Sequence, residues 1–268
     1  MRHKDLGVLT GPVLIFGGPY SNVQATRAVL AKAEARGAVP LCTGDVVAYC
    51  GAPVQTVAAI RASACAIVAG NCERQLAAGA PDCGCGFDAG SACDLLSVGW
   101  FRFADAAIGA DDRAWMGALP DVLTFSQAEA RYAVIHGGVS DVARFLWSVS
   151  PDTEFEAEWD LLEAAIGPVD HVVAGHSGIP FVRELRRGRW INAGVIGMPA
   201  HDGRMATRFA ILEKGAVTVH DLDYDAQGAV ADMQAAGLTQ GYDRALLTGY
   251  WPSEEVLPLD LRRPVDSG

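Results

Sequence analysis

The sequence predicts an α/β fold in which two sheets pack face to face and helices cover their outer sides. Short apolar strands alternate with amphipathic helices over residues 12–70, and strands dominate after Pro120. Half of the 268 residues are apolar, enough to bury one large core. The expected organisation is a single domain over residues 1–268, with a Cys-rich insertion at 77–93 and a helical extension at 226–268.

Pro12–Phe16 is the first strand candidate, an apolar run stopped by Gly17 and Gly18. Asn22–Ala35 reads as a helix whose apolar face runs through Ala25, Ala28, Val29 and Ala33. Val39–Cys42 is a second strand. Ala52–Ala62 is a helix with Pro53 at its start, where a missing N–H costs nothing. Ala66–Ala69 is a third strand, stopped by Gly70. This rhythm predicts parallel strands, and ligands in such sheets bind beyond the strands' carboxyl ends. Gly18, Asp45 and Asn71 all fall at those ends.

The segment 77–93 breaks the rhythm with Gly, Asp and Cys and reads as an inserted loop. Asp94–Ile108 and Asp111–Leu119 are expected helices. Seven strands then follow: Val122–Phe125, Arg131–Ile135, His171–Ala174, Phe181–Leu185, Trp190–Asn192, Arg208–Glu213 and Val217–Asp221, with a helix at Thr153–Ile166. Two further helices are expected at Ala226–Ala236 and Tyr242–Leu247.

A formal charge of −11 argues against a general binder of nucleic acid or of membrane surfaces. The densest basic run, Arg183, Arg186, Arg187 and Arg189, falls in an expected hairpin and reads as a solvated edge. The first ten residues carry charges and no apolar stretch of signal-peptide type, and no window reaches the roughly 18 apolar residues of a membrane span. A cytosolic protein is expected, with its seven cysteines reduced, catalytic or metal-binding.

Four polar signals share one geometry, each following an apolar strand: Gly44-Asp45, Gly70-Asn71, His136-Gly137 and Gly175-His176. Glycine beside a ligand lets the backbone turn sharply and exposes the side chain. Asp, Asn, His and His form a mixed oxygen and nitrogen set, suited to Mn, Fe, Zn or Ni rather than Ca or Mg.

With these motifs the chain resembles the calcineurin-like metallophosphoesterases, in particular the bacterial YfcE-like branch. The motifs that match are Gly44-Asp45, Gly70-Asn71-Cys72-Glu73, His136-Gly137-Gly138 and Gly175-His176-Ser177-Gly178; the stretch Ile191–Pro199 looks like the segment that follows the last motif. The resemblance implies a four-layer α/β/β/α sandwich with two metal ions clamping the attacking and leaving oxygens of a phosphate ester. It implies Asp45 as the bridging carboxylate, with Asn71, His136 and His176 as the other protein ligands of one ion. For the other ion the pattern is degenerate. Gly18 stands where the family has Asp, Tyr20 where it has His, and Gly178 where it has a last His. One intact and one degenerate metal site are therefore expected, and about one ion per chain.

Cys72 occupies the position of the residue that protonates the leaving group, which puts it with Asp45, Asn71 and His136 among the catalytic candidates. Additional ligands could come from Tyr20, as a phenolate, or from Cys50, Cys83, Cys85 and Cys93 if the inserted loop folds back over the site. Tyr20 alternatively packs over the altered position, and the loop cysteines alternatively form a redox pair. Cys42 and Cys65 read as core residues, and Trp100, Trp115 and Trp147 as packing residues. His201 and Asp202 read as a surface turn, and His171 and His220 as structural.

The function implied is a metal-dependent phosphoesterase acting on a small phosphorylated substrate. The alternative is a catalytically impaired phosphoesterase-fold protein acting as a ligand- or metal-binding or redox module.

Overall fold

The computed structural model describes residues 1–88 and 90–263. Residue 89, in the expected insertion, and residues 264–268, at the end of the expected extension, lie outside the described residues.

The first sheet is built around β2 (Val13–Phe16), whose side chains are all buried. Parallel to it run β3 (Val39–Cys42) and then β4 (Ala66–Ile67). The linking helices are α1 (Val23–Arg36) and α2 (Pro53–Ala62). Asn22 caps α1 by accepting the Ala25 N–H at 3.0 Å, and α1 ends at Gly37 in the left-handed region. On the other side of β2 lie β10 (Thr207–Glu213), antiparallel to β2, and β11 (Ala216–Leu222), antiparallel to β10, giving the order β11-β10-β2-β3-β4.

The second sheet has the order β1-β5-β6-β7-β9-β8. Its strands are β1 (His3–Val8), β5 (Val122–Gln127), β6 (Ala130–Val134), β7 (His171–Ala174), β8 (Phe181–Leu185) and β9 (Gly188–Asn192). Val13, Ile15 and Leu41 from the first sheet, with Val68 just beyond β4, meet Leu123, Phe125, Tyr132, Val134, Val173 and Ile191 from the second in a dry layer. Alternation along each strand sends the remaining apolar side chains outward, where helices cover them.

α6 (Asp152–Ile166) covers the second sheet through Phe155, Trp159 and Leu162, all fully buried. Burying a side chain such as Phe155 contributes about 1.5–3 kcal/mol. The outer face of the first sheet is covered by α1, α2, α3 (Asn71–Ala78), α4 (Ala92–Ala107), α5 (Ala110–Ala118), α7 (Ala226–Ala235) and α8 (Tyr242–Thr248). The architecture is therefore the expected helix–sheet–sheet–helix sandwich. No helix among the described residues is long and apolar enough to cross a membrane.

Several expectations change. β1 is an additional edge strand, parallel to β5, formed by a mostly exposed sequence with no apolar run. α3 begins at Asn71 itself, so the irregular insertion is shorter than 77–93 and lies between Ala78 and Ala92. Arg186 of the hairpin is exposed as expected, but two of its arginines are tied down rather than free at a solvated edge. Arg183 pairs with Asp152 of α6 at 2.7 Å, and Arg187 pairs with Asp160 and Glu163 of the same helix. Both guanidinium groups also lie over rings of α6, those of Phe155 and Trp159.

Candidate metal centre

The carboxyl ends of β3, β4, β6 and β7 meet at one edge of the sandwich. Asp45 follows β3, Asn71 opens α3 after β4, His136 follows β6 and His176 follows β7. Asp45 and His176 both have positive φ, at 58° and 63°, a conformation that non-glycine residues adopt rarely and that turns each side chain toward the edge. Gly70 permits the close approach: a Cβ there would lie 2.3 Å from Asp45 Oδ1 and 2.9 Å from the His136 ring. Gly44, at φ 100°, passes equally close to His136.

His136 organises the cluster. Its Nδ1–H donates to the Thr43 carbonyl at 2.6 Å, which leaves Nε2 facing Asn71 Oδ1 at 3.0 Å, His176 Nδ1 at 3.1 Å and Asp45 Oδ2 at 3.2 Å. The Asn71 amide nitrogen donates to the Cys83 carbonyl at 2.9 Å, so its oxygen is the atom turned inward. Lone pairs of two imidazoles, an amide and a carboxylate thus converge, and their mutual repulsion is relieved only by a proton or a cation between them. Donor atoms of Asp45, His136 and His176 all lie within 4.8 Å of one another, and all three residues are buried. This is the His/Asp metal-site candidate among the described residues.

The electrostatics fit that reading. Burial opposes ionisation of Asp45, yet the two imidazoles hold its carboxyl well below the usual range. Burial, the largest single influence, lowers the proton affinity of His136, but the charge and hydrogen bond of Asp45, the Thr43 carbonyl and the Glu73 charge together outweigh it and the net direction is upward. Burial lowers that of His176. His176 Nε2 is itself buried without a partner.

Glu73 supports the site and was not singled out from the sequence. Its carboxylate accepts the N–H groups of Asp45 (2.8 Å), Val46 (2.8 Å) and Gly70 (2.9 Å). Burial and the Asp45 charge push it up to about 7. The available signal was the Gly70-x-x-Glu73 spacing, that of a helix N-terminal box in which the glutamate reaches back to the cap N–H.

The remaining candidates separate. The Tyr20 ring packs against Gly18, where a Cβ would fall 2.5 Å from it, and burial and the Asp45 charge raise the phenol well above its ordinary pKa. Its ring fills that space and lines the cavity beside Asp45. Cys72 does not line the cavity beside Asp45. Its backbone N–H donates to Asp45 Oδ1 at 3.2 Å, and burial pushes its thiol up, away from proton donation near neutrality. Cys50 Sγ lies 3.7 Å from the Gly197 carbonyl and does not line the cavity either. The Cys-bearing loop does fold back, and Cys85 and Cys93 line the cavity. However, Cys83 and Cys85 are joined by a disulfide, so they are not two free thiolates and the cysteines are not all reduced. His201 is not in a free surface turn. It is buried, with Nε2 2.8 Å from Glu254 and Nδ1 accepting the Trp251 N–H at 2.9 Å.

Comparison with known families decides the kinship. The model of the calcineurin-like phosphoesterase superfamily domain matches residues 14–215. The chain belongs to this superfamily. As a calcineurin-like phosphoesterase, it is a member of a metal-dependent family and carries a His/Asp metal-site candidate. Its fold is similar to that of a metallophosphoesterase from Sphaerobacter thermophilus, at TM-score 0.68 and 19% identity over 90% of this chain and 100% of that one. A hypothetical protein from Pyrococcus horikoshii OT3 aligns at TM-score 0.70 and 16% identity over 89% and 98%. No curated protein matches the chain in sequence.

Proposed function

We propose that this calcineurin-like phosphoesterase is a phosphoric ester hydrolase working with one transition-metal ion, held by Asp45, Asn71, His136 and His176. Convergence of four lone-pair donors on one point, with Thr43 fixing the His136 tautomer, carries the reading. Bound Mn, Fe, Zn or Ni would supply Lewis-acid polarisation of a phosphoryl oxygen and acidification of water. The chain's own part is to hold the donors rigidly: Glu73 ties the Asp45 loop to the start of α3, and Cys83 orients Asn71. The whole chain acts as one domain in this reading, the Cys-bearing segment and the C-terminal stretch furnishing walls of the site.

A second reading, binding without turnover, is supported by two observations. The cavity at Asp45 is walled by aromatic and apolar groups, and the thiol at the expected leaving-group position is a poor acid.

Chelated protein reloaded with Mn, Fe, Zn or Ni and assayed on aryl phosphates distinguishes the two. Turnover is expected, falling on the order of 100-fold in His136→Ala as an organising donor is lost. Turnover unchanged by that substitution removes the enzyme reading. An ion bound with no turnover of any ester establishes the second.

A further inference from the structure

The segment between α3 and α4 reaches the metal-site candidate through one carbonyl. Cys83 accepts the Asn71 Nδ2–H at 2.9 Å, and that bond turns Asn71 Oδ1 toward His136 Nε2 at 3.0 Å. The other acceptors near the amide nitrogen are weak ones, Cys72 Sγ and Cys85 Sγ, each at 3.5 Å. Few ties hold that carbonyl in place. Among the described residues, no backbone–backbone hydrogen bond involves residues 81–87. Gly84, at φ 57°, lies against the Gln75 side chain, and its N–H donates to Asp82 Oδ1 at 2.9 Å. The covalent tie is the disulfide between Cys83 and Cys85, which closes the turn around Gly84.

Access to the two sulfurs differs. Cys85 stands on the wall of the open cleft that ends on Asp45 and His176, whereas Cys83 is buried and does not line it. A thiolate of a small dithiol entering the cleft therefore attacks Cys85 Sγ; the S–S bond breaks, and Cys83 leaves as a thiolate and takes a proton. The second sulfur of the dithiol then displaces Cys85, which leaves as the second thiol, and the reductant departs as its cyclic disulfide. Two electrons and two protons pass to the pair. With the turn open, Gly84 is free to leave the left-handed region, and the Cys83 carbonyl is no longer held against Asn71. An amide free to rotate turns its NH₂ toward the cluster for part of the time, where it cannot serve a cation.

We propose that Cys83 and Cys85 form a reversible dithiol/disulfide site that sets metal affinity through the orientation of Asn71, the disulfide being the tight-binding state. This deepens the single-ion reading above and rests on it.

The native chain, purified without reductant, is compared before and after treatment with dithiothreitol that is then removed. Alkylation followed by mass spectrometry should find Cys83 and Cys85 blocked before treatment and labelled after it. In the metal-free protein the Asn71 side-chain NH₂ resonances should shift and exchange faster with solvent on reduction. Mn affinity by titration calorimetry should fall about tenfold, the scale of the closure entropy of so short a loop. The double variant Cys83→Ser/Cys85→Ser should bind Mn as the reduced chain does and ignore dithiothreitol. Asn71→Ala should bind more weakly and lose the redox dependence, whereas a general loosening of the fold would survive that substitution. Should the double variant fail to fold, the native chain and Asn71→Ala decide. Equal or tighter Mn binding by the reduced native chain overturns the proposal alone. So do unchanged Asn71 resonances, a pair that dithiothreitol does not open, or a redox response that persists in Asn71→Ala. Failure of both native states to take up any ion overturns the single-ion reading and this proposal together.

Discussion

His136 shows how much a single side chain decides. One ring nitrogen is committed to the Thr43 carbonyl, so the other must face the cluster, and three further donors sit within 3.2 Å of it. Behind it, Glu73 holds three backbone N–H groups with two oxygens. Glu73→Gln replaces one oxygen with an NH₂ group that confronts at least one of those donors. The variant should lose about 1–3 kcal/mol in denaturant unfolding and bind metal more weakly. Unfolding free energy and metal affinity equal to those of the native chain would show that Glu73 is not the brace. The four ligand candidates were legible because each stands beside glycine at the end of an apolar strand. Glu73 was not, because two of its three partners are main-chain N–H groups of Asp45 and Val46, in a loop far earlier in the chain. The fate of Tyr20 was left open for a related reason: only the packed ring against Gly18 shows it occupying space.

At the scale of elements, the C-terminal segment is a strap latched at His201. Neutral His201 accepts the Trp251 N–H on Nδ1 and donates from Nε2 to Glu254. A second proton would have to sit on Nδ1 and displace Trp251. Burial lowers the proton affinity of His201; Arg263 acts in the same sense, while Glu254 and Asp202 oppose it without reversing the direction. The folded pKa therefore lies below the unfolded value of about 6.5. The unfolded chain takes up the proton first, so the latch contributes fully above that pH and is lost as pH falls from there through the folded pKa. Exchange of the Trp251 amide hydrogen, measured relative to amides of β2, should accelerate as pH drops below about 6. A constant ratio down to pH 5 would contradict the latch. Most helices and strands were legible from periodicity. β1 was not, because an exposed edge strand needs no apolar alternation and its pairing with β5 is a long-range event. α3 escaped because its buried face is largely polar, Asn71 and Glu73 beside Cys72 and Leu76.

At the scale of the molecule, the two sheets act as a frame. Their shared apolar layer holds the strand ends in register, and the bridge between Gly17 and Val195 joins the sheets where the site forms. The sandwich could be expected from the order of strands and helices. That Trp251 would pack beside Gly178 could not, since the contact joins Gly178 to a residue in an extension with no counterpart in the motif pattern. In the single-ion reading, one ion sits among Asp45, Asn71, His136 and His176 while aromatic rings hold the space beside Gly18 and Gly178. Anomalous scattering from crystals of Mn- or Zn-loaded protein, collected on both sides of the metal edge, tests it most directly. One peak among those four side chains, with Tyr20 and Trp251 against Gly18 and Gly178, is the expected result; a second peak beside Tyr20, or no peak between the two imidazoles, would contradict it.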